Sequence, residues 1–386
     1  MTFDQVIELI FSKRIESRNT PEDIRRIAGS LGSPEKAYPT VHVTGTNGKG
    51  SVSLKIAKAL EASGLKVGLF TSPHLISFCE RIVINGEPIP EETARQGLLK
   101  LMPFNLCFFE LATLLGFQYF RDQKVDIAVI EAGIGGLLDT TNIIEPLVSV
   151  ITSVASDHED LLGPGLEQVA YHKAGIIKPG IPVIMGPKAD FSVIREKATL
   201  CGSPLYKVQP QPGFYDVENS AIAQQALQIL KCPEAAIQEG LKCRPSCRFE
   251  QVGKVIFDVA HNPDGFLRLL EALQMHFPGQ RFSAVVGMSK DKDVKKCLSI
   301  LAERADQLHL VQASTPKAVP VEKMKELLRQ EGFTHFTAEA SIGETVRKAL
   351  ASEDLLVICG SFYIMKEARE EVLRVQVASD KSFLRT

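Results

Sequence analysis

The chain has 386 residues, 45% of them hydrophobic and 23% charged, and carries a net charge of −2. That length exceeds one ordinary core and favours two domains, while the near-neutral balance excludes the basic surface that non-specific nucleic-acid binding needs. Eight cysteines, at 79, 107, 201, 232, 243, 247, 297 and 359, follow no disulfide framework and read as the reduced thiols of a cytoplasmic protein.

The chain opens with "MTFDQVIELIFSKR". Asp4 and Glu8 interrupt its apolar residues, so it does not read as a secretory signal. Val6, Leu9 and Ile10 suit one face of an amphipathic helix. The apolar residues 98–120 are numerous enough to span a bilayer, but Lys100, Pro103, Asn105, Glu110 and Gln118 argue for a buried helix behind a short loop.

From residue 41 onward, strands alternate with helices. "VHVT" (41–44) precedes a helix over about 48–62, and "KVGLF" (66–70) follows. A helix near 110–121 leads to strands "VDIAVIEA" (125–132) and "LVSVITSV" (147–154), then a helix at 165–174, strand "IPVIM" (181–185) and a helix at 190–200. Continuous apolar strands between amphipathic helices predict a doubly wound, mostly parallel sheet covered on both faces. The rhythm breaks over 231–250, which holds two prolines and marks a domain junction. A second α/β series follows: "VIFDVA" (255–260), a helix at 263–276, "FSAVVGM" (282–288), a helix near 291–303, "QLHLVQ" (307–312), a helix at 320–331, "LLVICG" (355–360) and a last helix. The expected division is residues 1–243 and a smaller Rossmann-like domain of residues 244–386. Cys243 and Cys247 have the spacing of half a zinc site but lack a second pair.

The stretch "TGTNGKGS" (44–51) stands between the first strand and its helix. It departs from the spacing G-x-x-x-x-G-K-[ST] of the usual phosphate loop: Val43 occupies the first glycine position and Gly50 the place of Ser or Thr. The physics is nonetheless that of a phosphate loop. Gly45, Gly48 and Gly50 let backbone N–H groups approach a ligand, the helix N-terminus attracts anions, Lys49 can reach terminal phosphates, and Ser51 can touch phosphate or metal.

Four further stretches carry chemistry. Ser72, in "TSPHLISFCERIVINGEPI", lies beyond the carboxyl end of a strand, where ligands collect in open α/β sheets; a capping serine would look the same. Glu131 closes a buried strand, where a carboxylate requires a cation, a metal or N–H donors. His158, in "SVASDHEDLLG", is a plausible ligand, although a lone histidine is more often structural. Lys173, in "AYHKAGIIKPG", would be repelled by a magnesium ion as an amine; as a carbamate it would be an oxygen ligand of the type magnesium prefers. A solvated surface lysine is the plain alternative.

These motifs, together with "FFE", "EAGIGGLLDTTN", "RFE", "FDVAHNP", "SKDKD" and "GSFYIMKEAR", resemble the folylpolyglutamate synthase/dihydrofolate synthase family of the Mur ligase superfamily, over about residues 41–369. The family's own loop is GTNGKG followed by Ser or Thr, so the departure from the usual spacing is a family trait. The resemblance implies an ATP-dependent ligase that adds L-glutamate to dihydropteroate, to a reduced folate, or to both, through an acyl phosphate. It implies ATP contacts from Thr46, Asn47, Gly48, Lys49, Gly50 and Ser51, and from Asn219, Arg248, Asp258 and His261. It implies magnesium ligands at Ser72, Glu131 and His158, with Lys173 carbamylated as the fourth, and catalytic roles for Lys49, His158 and Lys173. It places the pterin against Cys107, Phe108, Phe109 and Glu110 and against Leu138, Asp139 and Thr140. A K⁺ ion is a further cofactor it suggests, and a monomer is the expected state, with small-molecule partners and neither nucleic acid nor membrane.

The chain departs from the family at Leu137 (usually Arg), His172 (usually Glu), Cys247 (usually Gly) and Val259 (usually Gly), and after "LLG", where Pro164 and Gly165 replace a Thr. None of these strikes Lys49, Ser72, Glu131, His158 or Lys173. Two rivals remain. A cell-wall Mur ligase would need a further N-terminal domain, for which about forty residues before the loop are too few. A nucleotide-binding regulatory protein derived from a ligase would be expected to lose the metal ligands.

Overall fold

The computed structural model describes residues 1–12, 19–339, 341–351 and 355–383. Two compact units divide them. Unit 1 comprises 1–155, 159–212 and 216–245; unit 2 comprises 156–158, 213–215 and 246–386.

Unit 1 is built on eight strands: β1 Thr40–Thr44, β2 Val67–Phe70, β3 Ile82–Ile84, β4 Glu87–Pro88, β5 Ile127–Glu131, β6 Val148–Ser153, β7 Val183–Lys188 and β8 Leu205–Lys207. Their order is β4-β3-β2-β5-β1-β6-β7-β8. The pairs from β2 to β8 are parallel, and β3 and β4 add an antiparallel edge. The helices are α1 Phe3–Ser12, α2 Pro21–Ser30, α3 Lys49–Ala62, α4 Glu91–Leu101, α5 Phe108–Asp122, α6 Glu159–Leu162, α7 Leu166–Ala174, α8 Ser192–Leu200, α9 Tyr215–Ile229 and α10 Glu234–Leu241.

The sheet is buried on both faces, as continuous apolar strands require. Val41, Val43, Val129 and Val150 pack with α3, α9 and α10 in one core; Phe70, Ala128 and Ile130 pack with α1, α4 and α5 in another. The apolar run at 98–120 is thus the end of α4, a short loop and the buried α5, and no helix among the described residues is long and apolar enough to cross a membrane. In α1, Val6 and Ile10 are buried as expected, but Leu9 is 40% exposed. A four-residue repeat fits the helical period, and Leu9 falls one residue, about 100°, away from Ile10.

Unit 2 has six strands, β9 Glu250–Val252, β10 Val255–Phe257, β11 Phe282–Val286, β12 Gln307–Leu310, β13 Phe336–Ala338 and β14 Leu355–Cys359, in the order β13-β12-β11-β14-β10-β9. All pairs are parallel except β9–β10. Its helices are α11 Pro263–His276, α12 Val294–Ala302, α13 Val321–Gln330, α14 Ile342–Leu350 and α15 Phe362–Phe383. Phe266, Leu269, Leu298, Leu310, Met324 and Val357 belong to its core. All eight cysteines are free thiols.

Candidate active site

β1 runs parallel between β5 and β6, so its carboxyl end opens the phosphate loop at the centre of the unit 1 sheet. Gly48 caps α3 with φ of 86°, a left-handed conformation that suits glycine. The loop is cradled by the end of β6. Thr46 N donates to the Ser153 carbonyl at 2.9 Å, Asn47 N donates to Ser153 Oγ at 2.9 Å, and Thr152 Oγ1 donates to the Asn47 carbonyl at 2.6 Å. Thr46 Oγ1 closes the rim by donating to the Ala155 carbonyl at 3.1 Å. The approach is close enough that a Cβ at Gly45 would lie 1.8 Å from Thr152 Oγ1. Asn219, on α9, presses on the loop from outside: its Oδ1 lies 2.5 Å from where a Gly48 Cβ would be.

Lys49 heads α3, and its Nζ donates to the carbonyls of Gly45 at 3.0 Å and Thr46 at 3.3 Å. Ser51 is buried in the first turn. Glu131, 2% exposed, ends β5. Its Oε2 accepts the Ser72 backbone N–H at 3.2 Å and would lie 3.6 Å from a Cβ at Gly50. The structure therefore brings the phosphate loop, Ser72 and Glu131 together. Lys173, near the end of α7, is 3% exposed, so the alternative of a solvated surface lysine does not hold. A carboxylate and a serine hydroxyl are hard oxygen donors that suit magnesium. No three His, Cys, Asp or Glu side chains among the described residues form a metal-holding group, so a serine and a lysine carbamate would have to complete such a site.

Around the expected pterin residues, two carboxylates are committed to the backbone. Glu110 is the third residue of α5; it accepts Cys107 N at 2.7 Å, Asn19 N at 2.9 Å and Asn19 Nδ2 at 2.8 Å. Asp139 caps the 3-10 turn Thr140–Ile143 and accepts Thr141 N at 3.0 Å, Thr141 Oγ1 at 2.6 Å and Ile134 N at 2.9 Å. Burial raises the Asp139 pKa against these donors. Phe108 stacks on Phe11 with ring centres 4.0 Å apart, and the Arg81 guanidinium lies 5.0 Å from its centre. Phe109 covers Gly133, where a Cβ would meet its ring at 2.6 Å. Cys107 is the N-cap of α5, Thr140 is buried, and Leu138 stands 62% exposed.

The other expected residues lie in unit 2. Asp258 follows β10 and is buried. Its Oδ2 accepts Tyr215 Oη at 2.7 Å and Phe249 N at 2.9 Å, and its Oδ1 accepts Ala260 N at 2.8 Å. Burial raises its pKa, opposed first by Arg248. The Arg248 guanidinium sits 5.3 Å from the Phe362 ring centre. Cys247, where the family has glycine, adopts a φ of 56°, the conformation that explains the usual residue. His261 Nδ1 lies 2.7 Å from the Val259 carbonyl, and burial, then Lys292, lowers its pKa to about 4. His158 has its Nε2 2.9 Å from Lys292 Nζ, and that ammonium also donates to Asp157 Oδ1 at 2.8 Å.

The sequence reading missed several of these partners. Lys292 lies within the quoted "SKDKD" and Asp157 within "SDHED", so both were within reach. Thr152 and Ser153 end an apolar strand with two hydroxyls, a usable signal. Asn19 carried none.

A family model described as the Mur ligase middle domain matches residues 43–184, and one described as the Mur ligase glutamate ligase domain matches residues 247–362. The chain is similar to the folylpolyglutamate synthase of Lacticaseibacillus casei, with 36% identity over 97% of this chain and 99% of that protein. It is similar to the dihydrofolate synthase/folylpolyglutamate synthase of Escherichia coli (strain K12), with 31% identity over 91% and 90%. Among solved structures it resembles E. coli FolC in complex with DHPP and ADP, with a TM-score of 0.88, 28% identity and coverage of 97% and 98%. It also resembles a bifunctional folylpolyglutamate synthase/dihydrofolate synthase with Mn, AMPPNP and L-glutamate bound, with a TM-score of 0.85, 29% identity and coverage of 95% and 96%.

Proposed function

The chain belongs to the folylpolyglutamate synthase/dihydrofolate synthase family of Mur ligases, and from that premise we propose how its own residues carry the reaction. It is an ATP-dependent carboxylate–amine ligase, and ATP and a divalent metal ion serve it, as the nucleotide- and manganese-bound relatives support. The acceptor is dihydropteroate, a reduced folate, or both in turn, and the amine is that of L-glutamate.

The observation that carries the reading is the placement of Glu131 against Ser72 N and Gly50, at the mouth of the loop that Lys49 closes. The acceptor carboxylate attacks the γ-phosphate in line, giving an acyl phosphate and ADP. Lys49 turns from its own loop carbonyls to the phosphates, and with the loop N–H groups it stabilises the equatorial oxygens. The glutamate amine then attacks the acyl carbon and releases phosphate. A magnesium ion held by Ser72, Glu131, His158 and a carbamate on Lys173 would supply charge neutralisation between the phosphates. Thr46, Asn47, Gly48, Gly50, Ser51 and Asn219 remain the nucleotide contacts of unit 1, and Arg248, Asp258 and His261 those of unit 2. For the pterin, Phe108, Phe109, Leu138 and Thr140 are the assigned contacts. Cys107, Glu110 and Asp139 act there by shaping α5 and the loop. Residues 1–243 form the nucleotide domain and 244–386 the glutamate domain of a monomeric cytoplasmic enzyme, with K⁺ as an additional cofactor.

The test is glutamate-dependent ADP release from purified protein, with dihydropteroate and reduced folates offered separately. Lys49→Ala and Glu131→Ala are expected to abolish it while the fold survives. Near-native turnover in either variant would refute the site.

A further inference from the structure

β1 carries three polar side chains, Thr40, His42 and Thr44, on the face turned away from α3, and the last two bear on the site. Val41 and Val43 lie in the core beneath α3, and the alternation of a strand turns His42 and Thr44 to the other side. Both are fully buried, and both hold the segment that follows Glu131. Thr44 Oγ1 donates to the Gly135 carbonyl. His42 Nε2 lies 2.9 Å from Thr141 Oγ1, whose hydroxyl donates to Asp139 Oδ1 at 2.6 Å.

The direction of this chain can be worked out. Thr141 has one hydroxyl proton, and the Asp139 carboxylate takes it. His42 must then donate from Nε2, which leaves Nδ1 as a bare acceptor. That Nδ1 is buried and has no hydrogen-bond partner among the described residues. Such an orphan destabilises the fold, and an apolar residue at position 42 would avoid it. The histidine therefore stands at a cost in stability for the sake of its bond to Thr141. One residue beyond Thr44 the same strand becomes the phosphate loop.

We propose that His42 and Thr44 are positioning residues that hold the 133–141 loop in fixed register with the phosphate loop, so that the acceptor carboxylate meets the γ-phosphate in line. This rests on the reading of Leu138 and Thr140 as acceptor contacts. Neither His42 nor Thr44 touches substrate; each acts through the loop.

The experiment is a steady-state comparison of KM for dihydropteroate and for ATP. Thr44→Val and His42→Leu remove one donor each and are expected to raise the dihydropteroate KM about tenfold while ATP stays within about twofold. Thr44→Ser and His42→Gln keep the donors and are expected to restore it. Leu138→Ala alters the exposed loop residue without touching the strand and is expected to raise the same KM. If Leu138→Ala moves that KM and Thr44→Val and His42→Leu do not, the positioning role is overturned. If none of the three moves it, the acceptor reading itself fails. A rise for ATP as large as that for dihydropteroate also overturns the proposal, because a general loss of structure would give it. Should the strand variants melt at the assay temperature, Thr141→Val breaks the same chain from the loop side and is read in the same way.

Discussion

The Nζ of Lys55 stands 3.1 Å from Oδ2 of Asp216, and none of the lysine side chain reaches solvent. Its other N–H bonds go to the carbonyls of Leu241 at 2.6 Å and Cys243 at 2.9 Å. Three donors thus meet three acceptors, which is what a buried ammonium requires. Removing one partner of a buried pair costs about 3–5 kcal/mol. Arg244 also pairs with Asp216, at 3.1 Å, and would keep that carboxylate partly compensated. Lys55→Met is therefore expected to lose about 3 kcal/mol of stability, the low end of that range. Lys242 and Glu239, exposed by 69% and 64%, form a pair of the kind worth about 0–1 kcal/mol. Urea unfolding of Lys55→Met beside Lys242→Met measures the contrast, and equal losses would disprove the buried pair.

Glu131→Gln separates structure from chemistry. The amide oxygen can still accept Ser72 N, so the carboxyl end of β5 keeps its bond. The negative charge is lost, and with it the attraction for a divalent cation. Thermal melts are expected to match the parent within a few degrees, as for a change worth about 1 kcal/mol. Turnover is expected to fall by a factor on the order of 10² or more. Retained metal-dependent turnover would remove Glu131 from the ligand set.

How far the sequence could be read follows from what each pattern encodes. β5 and β14 were legible because a parallel strand buried on both faces reads as an apolar run, and β1 and β6 because valine recurs at every second position. The antiparallel β3 and β4, and the three-residue β9 and β13, are too short to show a period. Lys55 was invisible: a lysine in a helix reads as exposed, and its partners lie far along the chain. For Glu110 and Asp139, which the family resemblance places beside the pterin, the capping bonds were invisible, because a capping carboxylate and a ligand-binding one look the same until the N–H groups around them are placed. The phosphate loop itself was legible because its chemistry is local: strand, glycines, lysine and helix are contiguous.

Lys173 gives a test by mass. Buried at 3% exposure, its amine bears a large desolvation cost as a cation. Native mass spectrometry in bicarbonate is expected to show the protein heavier by one CO₂, lost in Lys173→Arg. A bare amine in fully active protein would sink the carbamate.

Histidines withdrawn from water, His42 fully and His74 in part, weaken the fold in acid. Burial first, then the Lys178 ammonium, holds His42 at a pKa of about 3. Burial, then Arg81, brings His74 to about 3 as well, and its Nδ1 accepts Arg81 Nε at 2.8 Å, a bond that protonation there would break. In the unfolded chain both titrate near 6.5. Between about pH 6.5 and 3 the unfolded state binds protons that the folded state refuses. Stability is therefore fully present above 6.5 and falls as the pH drops through that window, by up to about 1.4 kcal/mol per pH unit for each group. His42→Gln removes one of these titrations, leaving those of His74 and His261, and keeps the donor to Thr141. It is expected to flatten the loss measured by urea unfolding between about pH 6.5 and 4, with stability at pH 8 little changed, since His42 is neutral there in both states. An unaltered slope in His42→Gln would mean that the histidine accepts its proton without unfolding, and that the orphaned Nδ1 has a partner after all.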